Sequence, residues 1–439
     1  MKKVVLLLSV VALTTSSVFA QKVNVDALKS KIEKSDESIA NPKKNTKAST
    51  WFSRGETFSS VATANCNSIF PGMMEMMLLE AVGKPLNVDS VPVEVIGGEE
   101  LKIFEYPTVD IYLTNAASGT VKLWVEKSTV DADAVDKAVE AFIKAYELDN
   151  SLLTKVDQGI TGISTYLTVD AQNLYEMGNF GEAYKRFKKA SEIGYKNPKG
   201  VSETAGSLLY YAAVASAQAG ENEASAEIIL DLIEKGIEQE GNVYLYAGLV
   251  FERLDRKDDA QKYMEMGVKK YLDNQSLLQQ FITFSIQNDA GIDAILPYIK
   301  EAQAKDPKNF VFFLSEGIVY NQVKDYDNAI AAYEKAAELN PENWGTFYNL
   351  GFAYREKAIM INKELTTVDY TNTKLIDELT EKFYESMTAS IAPFEKAYAL
   401  DTTNKQVVEV LKSIFFTLRD RGADMMEGYT KYDEIFKTM

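Results

Sequence analysis

From Thr165 to Leu400, bulky apolar residues recur at steps of three and four, broken at short intervals by glycine, asparagine or a polar run. Such steps put side chains on one face of a helix, so the stretch reads as helix after helix. The clearest unit runs from Asn309 to Asn340. Phe313, Gly317, Tyr320, Tyr326, Ala329, Tyr333, Ala336 and Pro341 stand there at successive spacings of 4, 3, 6, 3, 4, 3 and 5. The step of six separates two helices. Gly317 and Ala329 are small where the pair must approach closely, and Pro341, which cannot continue a helix, opens the next unit. The same frame fits Leu167, Ala171, Leu174, Gly178, Phe180, Ala183, Phe187 and Ala190, then Leu209, Ala213, Gly220 and Ile229 with Ser225 in place of alanine. It fits again at Tyr244, Gly248, Phe251, Ala260 and Met264, and more loosely from Leu278 through Tyr298 to Pro307. A sixth unit starts at Phe347, Leu350, Gly351 and Tyr354, and its second helix resumes at Phe394 and Ala397. The Lys-, Glu- and Leu-rich stretch between, Arg355 to Ser390, predicts that both helices of this pair are lengthened, with a turn near Thr366 to Thr373. Val407, Val410, Leu411, Ile414, Phe415 and Leu418 then form the apolar stripe of a terminal cap.

Ahead of the array the period changes. Val23 to Ala40 reads as a helix ended by Asn41-Pro42; a second carries Trp51, Gly55 and Phe58, and a Met-rich third spans Met73 to Val82. From Val91 to Glu126 the period is two. Val93 and Val95, then Leu101 and Ile103, then Val109, Ile111 and Leu113, then Val121, Leu123 and Val125 alternate with other residues, joined by Gly97-Gly98 and by Asn115 to Gly119. Four short alternating runs with Gly-containing turns predict an antiparallel meander. A sheet this small needs its apolar face covered, so it is expected to pack on neighbouring helices. It is either a spacer or a second binding surface. A helix from Ala132 to Leu148 returns the chain to the repeat pattern.

A helix–turn–helix of about 34 residues with small and bulky residues at these offsets resembles the tetratricopeptide repeat. The resemblance implies an all-α-dominated α-solenoid, a right-handed superhelix of helix pairs, here with a small antiparallel β-meander inserted near the N-terminus. The expected organisation is a leader at 1–20, a divergent helical region at 21–90, the meander at 91–128, the repeat array with its extended last helix pair at 129–404, and capping helices at 405–439. In that family the first helices line a concave face, and ligand contacts come from their second, fifth, ninth and twelfth positions. The fifth and ninth positions here are Tyr210 and Val214, Leu245 and Leu249, Leu314 and Ile318, and Tyr348 and Phe352. The first unit is more polar, with Thr168 and Gln172. The family's chaperone-binding members hold a terminal carboxylate with Lys and Asn at such positions, and this chain departs from that pattern. Its groove is apolar and aromatic, suited to an amphipathic helix or an extended apolar peptide, or else filled by other parts of the same chain.

Composition narrows the chemistry. The 439 residues are 46% apolar and 25% charged, with 64 acidic against 47 basic residues and a net charge of −17. An acidic chain is a poor ligand for nucleic acid, whose phosphates need clustered Lys and Arg. There is no histidine and one cysteine, Cys66, which excludes Ser-His-Asp and Cys-His catalysis and the usual zinc and copper ligand sets. Cys66 is a small buried residue near a helix end, or else a reactive thiol or one half of an intermolecular bridge. Asp131, Asp133 and Asp136 start like a calcium loop, but Phe142 stands where its final glutamate belongs, and they read better as acidic residues opening a helix. No phosphate-binding glycine loop is present, and no cofactor or metal is expected. Lys2 and Lys3, the apolar run Val4 to Leu13 and Val18-Phe19-Ala20 form an export signal too short to span a bilayer. Gln21 follows where a lipoprotein would need cysteine, and loss of Lys2 and Lys3 takes the charge from −17 to −19. These readings add up to an exported, non-enzymatic scaffold, periplasmic or secreted, for protein or peptide partners of the cell envelope. The alternative is a module for a glycan or other envelope polymer, with Tyr112 and Trp124 as stacking candidates.

Overall fold

The computed structural model describes residues 24–288 and 292–439; the leader at 1–20 lies outside them. The chain divides into two compact units, one ending at Ile237 and the other running from Glu238 to Met439.

In the first unit, α1 (Val25–Ala40) and α2 (Ala48–Ala62) precede the short α3 (Glu75–Val82) and four strands, β1 (Val93–Ile96), β2 (Glu99–Glu105), β3 (Val109–Thr114) and β4 (Val121–Glu126). The helices α4 (Ala134–Leu148), α5 (Leu153–Glu176), α6 (Phe180–Tyr195), α7 (Ala205–Gln218) and α8 (Asn222–Glu234) follow. The partner of α2 is not its neighbour in sequence but α4, whose Phe142 ring lies directly against Gly55. That is the contact the repeat frame requires between the glycine of a first helix and the bulky residue of a second. Everything from 63 to 133, the sheet included, is therefore inserted between the two helices of one pair.

The sheet is an antiparallel meander in the order β1-β2-β3-β4. Gly97 and Gly98, with φ of 62° and 88°, close the first hairpin in the double left-handed turn that matches strand twist. Strict alternation would put Val121, Leu123 and Val125 on one face. A bulge between Tyr112 and Leu113 of β3 pairs Leu113 with Val121 but Tyr112 with Leu123, so Lys122 is the extra residue and Val121 changes sides. Both faces are consequently apolar and buried over most of β2, β3 and β4. Phe104, Ile111, Leu113, Val121 and Trp124 pack under Leu78 of α3 and against Tyr166 and Val169 of α5, while Leu101, Ile103, Tyr112 and Leu123 meet Ile96, Val125 and Met177 on the other side.

The second unit contains α9 (Asn242–Arg253), α10 (Lys257–Lys270), α11 (Gln275–Gln287), α12 (Ile292–Lys305), α13 (Phe310–Gln322) and α14 (Tyr326–Leu339). These are followed by α15 (Trp344–Leu365), α16 (Thr373–Ala389), α17 (Ile391–Leu400), α18 (Lys405–Leu418) and α19 (Ala423–Thr438). The same glycine contact identifies the pairs: Gly248 of α9 on Met264 of α10, Gly317 of α13 on Tyr333 of α14, and Gly351 of α15 on Phe394 of α17. The last pair is also split, by the distal turns of α15 and all of α16. Asn274, Asn309, Asn343 and Asn404 each cap a helix by accepting a backbone N–H with their side-chain oxygen, an interaction worth about 1 kcal/mol apiece. Among the described residues no helix is long and apolar enough to cross a membrane.

Candidate apolar docking face

Of the eight residues that the repeat frame puts on a ligand-binding face, Tyr210 and Val214 are buried. The frame fails there because α7 is apolar almost all round, with Leu208, Leu209, Ala212, Ala213 and Ala215 buried as well, and it packs between α6 and α8. A helix apolar on every side belongs to the interior. Leu245 and Leu249 are half-buried on α9, and on α5 Thr168 and Gln172 are half-buried too.

The remaining four residues lie on α13 and α15, which touch each other. Leu314 is half-buried against Ala329, Tyr333 and Leu350, while Ile318, one turn on, is 38% exposed. Tyr348 and Phe352 are half-buried, their rings stacked at 6.5 Å, with Tyr348 meeting the edge of Phe394 at 5.6 Å. Trp344 completes the row. It is 42% exposed and sits edge-on to Tyr348 at 5.9 Å. Trp344 escapes the fifth-and-ninth rule because it occupies the first position of its helix. Its signal is the spacing of four from Trp344 to Tyr348 to Phe352, which makes a ladder of rings on one helix face. Tyr348 and Phe352 pack on the core around Phe394, while Trp344 and Ile318 leave apolar surface exposed.

The residues 317–357, which contain Ile318, Trp344, Tyr348 and Phe352, match the family model described as TPR repeat, the tetratricopeptide repeat. That stretch of the chain carries the tetratricopeptide repeat. Solved structures similar to it include YrrB, described as a TPR protein with an unusual peptide-binding site, at 18% identity and a TM-score of 0.32 over 48% of this chain and 98% of that one. Another is a tetratricopeptide-repeat protein from Parabacteroides merdae, at 14% identity and a TM-score of 0.37 over 57% and 98%. MamA is similar at 15% identity and a TM-score of 0.30 over 46% and 95%. No curated protein matches the chain.

Tyr112 and Trp124, the stacking candidates for a glycan, are buried on opposite faces of the sheet inserted between α2 and α4, so neither can present a ring to a sugar. The aspartates at the start of α4 are engaged: Asp131 with Lys137 at 2.8 Å and Asp136 with Lys189.

A polar cluster invisible in the sequence joins the sheet to α5 and to the turn after α2. Glu126, at the end of β4, accepts hydrogen bonds from Tyr166 Oη at 2.9 Å and Asn65 Nδ2 at 3.0 Å, and Cys66 Sγ lies 3.6 Å from it. Burial pushes the Glu126 carboxyl above its ordinary range, against the hydrogen bonds of Asn65 and Tyr166. Burial and then the charge of Glu126 push the Cys66 thiol up as well, which keeps it protonated; it is a core residue and not a nucleophile. Asp170, also raised by burial, is paired with Arg186 at 2.8 Å. In the second unit Glu238 plays the opposite part. Although desolvation works against it, hydrogen bonds from Lys270, Tyr271 and Tyr244 hold its pKa down to about 2. Both carboxylates are drawn together from residues far apart in sequence, so no local motif announces them.

Proposed function

We propose that this protein is an exported, non-catalytic interaction scaffold that receives a protein or peptide segment on the face formed by α13 and α15. The observation that carries the reading is the ladder Trp344–Tyr348–Phe352 on α15, with Ile318 exposed on the adjoining α13. Trp and Tyr are among the side chains that dominate binding energy at protein interfaces. The missing histidine and the apolar lining favour shape recognition over bond-making. Export rests on the N-terminal signal and places the partner in the cell envelope, with the periplasm as the compartment.

A photo-crosslinking amino acid at position 318 tests this in intact envelope-bearing cells. A discrete protein adduct is expected, and Trp344→Glu should abolish it while leaving helicity unchanged. No adduct, or adducts indifferent to Trp344→Glu, would refute the docking face. Independently, the protein recovered from the periplasmic fraction should begin at Gln21.

A further inference from the structure

Exposed large apolar side chains concentrate on the sheet insertion. Met76 and Met77 on α3, Leu86 and Val88 in the following loop, and Val93 and Val95 on β1 all face solvent, Met76, Leu86 and Val95 at 67%, 69% and 68%. Val93 pairs with Lys102 and Val95 with Glu100, so both valine side chains lie on the same face of the sheet as Lys102, whose ammonium pairs with Glu75 at the start of α3. The two valines and the helix thus rim one surface.

β1 is also the edge strand, bonded to β2 on one side. The two-residue turn makes Ile96 and Glu99 its closing pair, and Ile103 N–H donates to Pro92 O at 3.0 Å. In an antiparallel ladder the bonded pairs alternate, so Glu94 and Ile96 point their backbone groups inward to β2. Val93 and Val95 point theirs outward. The residues with free ladder groups are the same ones that carry exposed apolar side chains.

We propose that β1 accepts an extended segment of another protein as a further strand, one that alternates apolar and basic residues. Main-chain bonds to Val93 and Val95 would supply the pairing, and alternate side chains the selectivity. The charge pattern selects the occupant. Three carboxylates of this stretch, Glu80, Asp89 and Glu94, against one cation, Lys84, take part in no ion pair among the described residues, and Glu94 projects to the opposite face from the valines, where an alternating segment would put its Lys or Arg. A second copy of this chain would bring the same carboxylates and its own charge of −17 against them. An anionic lipid surface is repelled by the same groups.

The test uses the mature chain with three synthetic peptides of equal length: alternating Val and Lys, alternating Val and Glu, and the Val-Lys peptide with prolines in place of alternate valines. The Val-Lys peptide should bind in fluorescence anisotropy and slow hydrogen exchange at the Val93 and Val95 amides at least tenfold; the other two should not bind. Val95→Glu should weaken binding at least tenfold with the circular dichroism unchanged, and Glu94→Lys should transfer the preference to the Val-Glu peptide. Binding indifferent to both substitutions, or without protection of those two amides, would show mere attraction to an acidic protein and overturn the proposal. Sedimentation showing a dimer that Val95→Glu dissolves would overturn it in favour of a second copy. Partition onto phosphatidylglycerol vesicles that Val95→Glu abolishes would overturn it in favour of lipid.

Discussion

Replacing Gly159 by alanine should destabilise the first unit, although alanine is the better helix former. The Phe142 ring is held between two glycines from different helices. A Cβ at Gly159 would stand 2.5 Å from its Cζ, and a Cβ at Gly55 2.5 Å from its Cδ1. Carbon atoms in contact settle at about 3.5–4.0 Å, so either methyl intrudes by about 1 Å. Moving away from one glycine drives the ring towards the other, and Phe52 lies 5.4 Å off at a tilt. Overpacking of this kind costs about 1–3 kcal/mol, whereas removing a glycine from a helix interior returns about 1 kcal/mol. The clamped ring puts the clash in the upper half of its range, so the net loss is about 1–2 kcal/mol for Gly159→Ala and likewise for Gly55→Ala. Phe142→Ala alone should cost about 3–5 kcal/mol, because it empties a fully packed site. In that background the sign reverses. With no ring to strike, Gly159→Ala should stabilise by about 1 kcal/mol, a coupling of about 2–3 kcal/mol. Native-state hydrogen exchange on peptides from α2, α4 and α5 reads the opening energy of this region separately from the rest of the chain. If Gly159→Ala stabilises the protein with Phe142 in place, or if the coupling is near zero, the ring is not clamped.

Glu126→Gln should change how the first unit responds to pH. A carboxyl raised above its ordinary 4.5 takes up a proton on folding, so stability falls as pH rises from 4.5 through the folded value and is constant beyond it. The groups acting on it are Asn65 and Cys66, and Tyr166 and Asp170 of α5, with Trp124 hydrogen-bonded to Cys66 and Arg186 beyond Asp170. Exchange in α5 and β4 should show that slope in the wild type and lose it in the glutamine variant. Glu238 titrates in the other sense. Its pKa of about 2 means that the stability it contributes is complete above 4.5 and is lost as pH falls towards 2. Glu238→Gln should therefore weaken exchange protection around Tyr244 and Tyr271 by about 1–3 kcal/mol at neutral pH, with the difference from wild type closing below pH 3.

The helix pairs and the four strands are legible in the chain because they are set by local periodicity. Steps of three and four mark helix faces, and alternation with glycine turns marks a meander, whatever else surrounds them. Gly317 facing Tyr333, and Gly351 facing Phe394 across an inserted hairpin, could be anticipated for the same reason: small and bulky residues keep their offset within each helix. The docking candidates were legible only in part. A repeat frame says which way a residue points from its own helix, and it leaves Leu314, Tyr348 and Phe352 half-buried with Ile318 exposed. It does not say what stands opposite, so Tyr210 and Val214 were placed on a face that α7 does not leave open.

By itself, then, the amino-acid order determined the secondary structure, the repeat and the absence of histidine chemistry. Three-dimensional packing decided the rest. It joined α2 to α4 across the sheet and moved Val121 to the other face through a bulge that no pattern of two announces. It also buried both faces of β3 beside its neighbours, so Tyr112 and Trp124 became core, and it gathered Glu126, Asn65, Tyr166 and Cys66 into one desolvated cluster. Periodicity is a property of neighbours along a chain. Burial, charge and exposure depend on what other segments bring, and those meet only once the chain has folded.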